Sequence, residues 1–150
     1  MNCPTCARAR KMTEAIVDET VRIGRFTMHG ELLRYTCGAC RASVYDGADL
    51  AWLELESAIT VLREAKDIAG AELKQIRKCI GMTQRQVGHE LGRTVETLSR
   101  QENDALPMSR ADRLALLAIA MGVRDAGSVE HFIQHEASRS NRRTHRIDTR

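Results

Sequence analysis

Aromatic side chains are scarce in this chain, at 3% of its 150 residues. Binding of RNA or single strands by base stacking needs several aromatic side chains on one surface, so this composition argues against that mode of recognition. Long hydrophobic runs are also missing, because the longest one, residues 114–121, has eight residues and a bilayer-spanning helix needs about 20. The N-terminus has neither a cationic leader nor an apolar signal segment. We therefore expect a cytoplasmic protein with no membrane partner.

Hydrophobic periodicity predicts sheet first and helices afterwards. β-branched residues roughly alternate through residues 12–23, and a second run follows Gly24, which is typical of a small antiparallel sheet. Apolar residues at spacings of three and four then predict a helix capped by Asp49 and ended by Gly70. Five short helices are predicted beyond it, near residues 71–80, 83–91, 94–103, 109–121 and 128–137.

Four of the five cysteines form two Cys-x-x-Cys pairs, Cys3 with Cys6 and Cys37 with Cys40. In a reducing compartment, clustered cysteines hold a metal more often than they form disulfides. Two such pairs supply the four thiolates of a closed tetrahedral zinc site. A unit as small as residues 1–46 also needs more than an apolar core to be stable. We therefore predict that these four cysteines bind a structural Zn²⁺.

Other uses of the cysteines fit the sequence less well. A redox Cys-x-x-Cys pair belongs in a thioredoxin-like βαβ setting, which the pattern lacks, and a catalytic zinc keeps one coordination position open. Bare reduced thiols stay open as an alternative. Cysteine catalysis needs an accessible thiol of low pKa beside a base, and no cysteine has a histidine near it in the sequence. We expect a protein that is not an enzyme.

A stretch beginning at Thr83 has the pattern of a DNA-reading helix pair. Thr83 and Gln86 predict a capping box at the start of the first helix. Gly88 leaves room for a close approach between the helices, and Gly92 supplies the positive φ of a tight turn. Thr94 then caps the second helix. An amphipathic helical hairpin that binds no ligand is the alternative.

In a helix-turn-helix, the first turn of the second helix points at base edges in the major groove, and Arg100 lies one turn further on. Arginine suits guanine and glutamine suits adenine, so Gln84 is a second candidate for base contact. Glu96 repels phosphate and fits only by accepting a hydrogen bond from cytosine. The predicted DNA-binding residues are Gln84, Arg85, Arg93, Val95, Glu96, Thr97, Arg100 and Asn103.

These motifs predict an α+β protein in which a small zinc-binding β module precedes an all-α helix-turn-helix domain. The last segment has five basic residues and one acidic residue in positions 137–150 and is too polar to order itself. The predicted segments are a zinc-binding domain in 1–46, a connecting helix or linker in 47–70, a DNA-binding domain in 71–137 and a disordered basic tail in 138–150.

The chain resembles the MqsA-type antitoxins, in which a YgiT-type zinc finger precedes a helix-turn-helix, and the resemblance implies that this domain is of the Xre or λ-repressor type. The likeness is carried by Cys-Pro-x-Cys from residue 3, by the second Cys-x-x-Cys 30 residues on, and by Leu98-Ser99-Arg100-x-Glu102 after a Leu-Gly pair. It covers nearly everything except the Arg-rich tail. The chain departs from the pattern at Glu96, so no operator sequence can be transferred. It also departs at Gln101 and Asp104, which affects the fine geometry and not the fold.

The resemblance implies a function. The zinc module would bind and neutralise an mRNA endonuclease toxin, and the C-terminal half would form a homodimer that represses its own operon, with Arg100 reading a base. The expected function is thus that of a DNA-binding antitoxin of a type II toxin–antitoxin system. The alternative is a stand-alone helix-turn-helix repressor whose zinc module is structural or senses a ligand, with no toxin partner.

Overall fold

A computed structural model of the chain describes the backbone of residues 2–7, 12–135 and 146–149. Side chains are described for the residues of these ranges up to residue 127. Within these residues an antiparallel sheet at the N-terminus is followed by helices, so the protein is α+β. The elements are β1 (Met12–Ile23), β2 (Phe26–Cys37), β3 (Ser43–Tyr45), α1 (Gly47–Glu64), α2 (Gly70–Ile80), α3 (Gln84–Leu91), α4 (Val95–Glu102), α5 (Arg110–His135) and β4 (Arg146–Thr149).

β2 is the central strand of the sheet. It pairs along its whole length with β1, from Met12 opposite Cys37 to Ile23 opposite Phe26. On its other side it pairs with β3 near Tyr35 and with β4 near Met28. Among the described strands, β1 therefore has a partner on one side only, and its outer backbone edge is open.

The turn of the β1–β2 hairpin is attached to the start of α2. Gly24 takes a positive φ of 56°, which glycine tolerates best. The buried Glu72 carboxylate then accepts hydrogen bonds from the backbone N–H groups of Arg25 and Ala69, at 3.2 and 2.9 Å. It also pairs with the Arg25 guanidinium at 3.3 Å. This contact joins the sheet to the helical half of the chain.

Helix α1 lies at the centre of the molecule. Residues 57–62 are all buried, which means that the helix is covered on every side there. Its last turn is closed by Arg113 of α5, whose guanidinium donates hydrogen bonds to the carbonyl oxygens of Leu62 (3.0 Å), Lys66 (3.2 Å) and Ala65. A cation that binds these unpaired carbonyls stabilises a helix C-terminus.

The predicted fold class is wrong in its architecture. One hydrophobic cluster runs from Met28 of β2 through Ile59 of α1 and Ile76 of α2 to Leu98 of α4 and Leu116 of α5. A zinc module and a separate all-α domain would each have a core of their own. Here the apolar faces of sheet and helices bury one another, and the segment 47–70, predicted as a connecting helix or linker, contains the core helix α1.

Several element predictions also need correction. Asp46, and not Asp49, caps α1, because its side chain accepts from the Ala48 N–H at 2.9 Å. The last two predicted helices are one helix, since Gly122 and Gly127 continue α5; a glycine inside a helix costs only about 1 kcal/mol, which packing against α1 can offset. Of the expected disordered tail, residues 146–149 form β4, while 138–145 and 150 lie outside the described residues.

No helix in the described part of the chain is both long enough and apolar enough to cross a bilayer.

Candidate metal centre and nucleic-acid interface

Two turns of the same shape carry the four clustered cysteines. In the first, the Ala7 N–H donates to the Cys3 carbonyl at 2.9 Å, and in the second the Arg41 N–H donates to the Cys37 carbonyl at 2.9 Å. Ala7 and Arg41 both take the left-handed conformation, with φ of 53° and 60°. Such backbone is strained for residues with a side chain and persists only where the surrounding structure holds it in place. Each turn directs its two sulfur atoms toward the other turn.

The four sulfur atoms lie close enough together to be bridged by one metal ion. All four Sγ atoms lie within 4.8 Å of one another. The Cys3–Cys40 and Cys6–Cys37 separations are 3.6 and 3.9 Å. A tetrahedron with metal–sulfur bonds of about 2.3 Å has sulfur–sulfur edges of about 3.8 Å. The predicted ligand set Cys3, Cys6, Cys37 and Cys40 is therefore brought together as a cluster that can bind a metal ion.

Backbone N–H groups favour the thiolate form of two of these cysteines. Hydrogen bonds from the N–H groups of Cys6 and Thr5 lower the pKa of Cys3 to about 6. The N–H groups of Cys40 and Ala39 likewise lower the pKa of Cys37. Thiolates are the form that binds metal. All five cysteines are free, and burial raises the pKa of the fifth, Cys79, to about 11.

The helix pair α3–α4 has the caps that the sequence predicts. The Thr83 hydroxyl accepts from the Gln86 N–H at 3.2 Å, and the Gln86 side chain accepts from the Thr83 N–H at 2.8 Å. Gly92 ends α3 with a φ of 63°. The Thr94 hydroxyl accepts from the Thr97 N–H at 3.2 Å and starts α4. The two helices are thus joined by a short turn of fixed geometry.

Gly88 is closely approached by the backbone of that turn. The Arg93 N–H donates to the Gly88 carbonyl at 2.7 Å, and a Cβ added to Gly88 would lie 2.7 Å from the Arg93 carbonyl oxygen. The need for a small residue is confirmed: the closest approach comes from the turn, and the Leu98 side chain of α4 lies next, 3.7 Å from the added Cβ.

Gly88→Ala should destabilise the protein by about 1–3 kcal/mol, because the turn must move away from the added methyl group. Urea denaturation would measure the change. Gly122→Ala is the matched control: this helical glycine is exposed and has no atom within 4 Å of an added Cβ, so alanine should stabilise α5 by up to about 1 kcal/mol. Stabilisation by both substitutions would contradict the close approach at Gly88.

The eight predicted DNA-binding residues fall into two groups. The first group is exposed on α3, α4 and the end of α4, apart from Thr97, which is half-buried. It comprises Arg85, Val95, Glu96, Thr97, Arg100 and Asn103. Arg85 and Arg100 have no ion-pair partner among the described residues. The amide of Asn103 donates to the Ser99 carbonyl at 2.8 Å.

Gln84 and Arg93 form the second group, because each makes a contact inside the molecule. The Gln84 amide donates to the Glu102 carboxylate at 2.8 Å. The Arg93 guanidinium pairs with Asp112 of α5 at 3.2 Å, with 46% of its side chain exposed. Both residues therefore hold the helices together, a role that nothing in the local sequence pattern indicates.

A buried ion pair next to Gln84 was missed as well. Arg77 of α2 donates to Glu102 of α4 at 2.5 and 3.2 Å, and to the Met82 carbonyl at 2.9 Å. Although burial opposes ionisation, the hydrogen bonds from Arg77 and Gln84 hold the pKa of Glu102 below its usual value. The network ties α2, α3 and α4 together. The position of Asp112, the partner of Arg93, can be read from the sequence. Ser109-x-x-Asp112 is a capping sequence for the start of α5, and the Asp112 N–H donates to the Ser109 hydroxyl at 3.0 Å.

Comparisons of this chain with protein-family models, with curated proteins and with solved structures give no match.

Proposed function

We propose that this chain is a zinc-stabilised, dimeric DNA-binding antitoxin that neutralises an mRNA endonuclease and represses its own operon. The observation that carries the proposal is the arrangement of α3 and α4, with capped ends, a tight glycine turn and an exposed first turn on α4. That arrangement is what a helix needs to enter a major groove while its partner helix crosses the backbone.

Arg100 and Arg85 are the best candidates for DNA contact. Both are exposed and have no ion-pair partner in the described part of the chain. The Gln84 amide donates one N–H to Glu102, so its second N–H and its carbonyl oxygen remain for contacts with DNA. Arg93 can reach a phosphate only in competition with Asp112. Val95, Glu96 and Thr97 occupy the first turn of α4, where base edges would be read.

Zinc is the metal that the ligand chemistry favours. Four cysteine thiolates in a tetrahedral arrangement suit Zn²⁺, and a site closed by four protein ligands has a structural role. The cluster ties the N-terminal loop to the end of β2, since Cys3 and Cys37 are both buried there. The metal would thus stabilise the sheet.

The outer edge of β1 supports the toxin-binding part of the proposal. An open strand edge can accept a strand from another protein. Ile16, in the middle of β1, is 60% exposed, and exposed acidic residues surround it on the hairpin, namely Glu14, Asp18 and Glu31. An apolar centre with an acidic rim complements a basic partner, and enzymes that bind RNA are commonly basic.

Arg100→Ala should weaken binding to the operator by about 1–3 kcal/mol and relax sequence preference at one position in each half-site. Half-sites should lie about 34–36 Å apart or at a multiple of that distance. Fluorescence anisotropy with a set of single-base operator variants would measure both effects. Arg124→Ala is the control, because Arg124 lies on α5 beside Glu56 and should leave sequence preference unchanged. A uniform loss over all sequences would show that Arg100 contacts only phosphate.

Co-expression tests the toxin part separately. The proposal predicts that an RNase encoded next to this chain arrests growth and that the chain restores growth and co-purifies with the RNase. Operator binding without any such partner would favour the stand-alone repressor, in which the metal cluster only stabilises the fold.

A further inference from the structure

A cleft of about 760 Å³ lies where the end of α1 faces the start of α5. Its walls are formed by residues within 62–68, by the loop 104–108 between α4 and α5, and by the first turns of α5 from Arg110 to Leu117. This volume is within the roughly 300–1,000 Å³ that is typical of small-molecule sites. The cleft, called here the α1–α5 cleft, contains none of the predicted metal-binding or DNA-binding residues.

The lining of the α1–α5 cleft is largely apolar. Seven of its thirteen residues are leucine, isoleucine, methionine or proline. Ile68, Leu106, Met108 and Leu117 are only half-buried, and Leu114 is 54% exposed. Apolar side chains that stay accessible in a concave site offer surface that a ligand can remove from water. A ligand that fits this lining therefore has an apolar body.

The charged residues of the cleft comprise four basic and two acidic side chains. Both acidic side chains have partners within the protein. Asp67 pairs with Arg25 at 3.1 Å, and the Asp104 carboxylate accepts a hydrogen bond from the Gly70 N–H at 2.6 Å. The charge balance of the lining is positive.

Two of the four basic residues, Lys66 and Arg110, have no ion-pair partner among the described residues. Both are exposed and they lie on different walls of the cleft. The other two have contacts, since Arg113 donates to carbonyl oxygens at the end of α1 and Arg63 lies 3.7 Å from Glu64. Lys66 and Arg110 thus leave positive charge beside the apolar lining for an anionic group.

We propose that the α1–α5 cleft binds a small amphipathic anion, a carboxylate with an apolar body. The body would cover Ile68, Leu106 and Leu117, and the carboxylate would lie near Lys66 and Arg110. Charge complementarity selects this occupant, because the chain's own terminal segment, with five basic residues and one acidic residue in positions 137–150, has the same sign as the cleft. The inference depends neither on DNA nor on a toxin, so it goes beyond the proposed function.

Isothermal titration calorimetry of the full chain, prepared with zinc, is the test. The probe is decanoate, and decylammonium is its counterpart with the same apolar chain and the opposite charge. Decanoate should bind with one molecule per chain and a Kd of about 10–100 µM, as expected for a ligand of its size. Decylammonium should bind at least about tenfold more weakly, because it meets charges of its own sign.

Charge reversal in the cleft should change this preference. Lys66→Glu and Arg110→Glu should each weaken decanoate binding about tenfold. The double variant should prefer decylammonium, because its lining would contain two basic and four acidic residues. Lys78→Glu is the matched control: Lys78 is exposed on α2 outside the cleft, so the variant changes total charge equally but should bind decanoate like the wild type. Circular dichroism should show that every variant is folded.

A wild type without saturable decanoate binding would overturn the proposal. Equal affinities for the two probes would also overturn it, since they would indicate adsorption to apolar surface alone, and so would equal losses in the Lys66 and Lys78 variants. Binding to phosphatidylglycerol vesicles without binding of free decanoate would assign the cleft to a membrane lipid and contradict the proposal. A chain that binds decanoate but no operator would refute only the proposed function.

Discussion

Replacing Cys37 by serine is expected to abolish the proposed metal binding and to lower the free energy of unfolding by about 4 kcal/mol or more. A metal whose free concentration is 1,000 times its dissociation constant stabilises the folded protein by about 4.1 kcal/mol. Structural zinc sites bind zinc tightly enough to contribute at least this much. For a chain of this length, such a loss corresponds to a melting temperature lower by about 8–16 °C. Metal analysis and thermal denaturation would measure the two effects.

Cys79→Ser is the control for that substitution. Cys79 lies outside the cluster, so this variant should keep one metal ion per chain and lose only the small packing contribution of its side chain. Stoichiometric metal in the Cys37 variant, or its loss from the Cys79 variant, would contradict the assignment of the site. Because the sheet and the helices share one core, the loss of metal should also lower the temperature at which the helices unfold.

Arg77→Met is expected to destabilise the protein by about 3–5 kcal/mol, because it leaves the Glu102 carboxylate buried without its cation. The Glu102 side chain is 2% exposed and that of Arg77 is 12% exposed, so water cannot replace the lost partner. Since the pair joins α2 to α4, the variant should also bind DNA less tightly. Chemical denaturation at neutral pH would measure the change in stability.

The double variant Arg77→Met with Glu102→Leu supplies the control. Replacement of both partners by apolar residues should recover most of the lost stability, because no buried charge remains. A single variant within about 0.5 kcal/mol of the wild type would mean that the ion pair does not form in solution.

The same carboxylate predicts acid sensitivity. The pKa of Glu102 is lower in the folded state than its ordinary value, so the unfolded chain binds the proton more readily. The stabilisation is therefore present above the unfolded pKa of about 4.3 and is lost as the pH falls through the folded pKa. Glu102→Gln should remove this part of the pH dependence.

Local signals in the sequence predicted the parts of the site that depend on a few neighbouring residues. Thr83, Gly92 and Thr94 cap α3 and α4 as predicted, because capping geometry depends on residues three or four positions apart. The clustering of Cys3 with Cys37 also followed from spacing, since each Cys-x-x-Cys turn is local and the β1–β2 hairpin brings the two turns together.

Contacts between distant elements could not be predicted in the same way. Met28 and Ile59 share one core, but an apolar residue does not specify which distant face will cover it. Arg77 is 25 residues from Glu102 in the chain, so nothing in the local pattern indicates their ion pair. For the same reason the local pattern indicates only DNA contacts for Gln84 and Arg93, although each has an internal partner.

The central claim is that the exposed surface of α3 and α4 recognises a specific DNA sequence. Its most direct test is the affinity of the metal-loaded chain for the duplex upstream of its own gene, compared with a scrambled duplex of equal length over a range of salt concentrations. The proposed function predicts binding at least about 1,000-fold tighter to the upstream duplex at physiological salt. Equal affinity for the two duplexes, falling with salt in parallel, would contradict it.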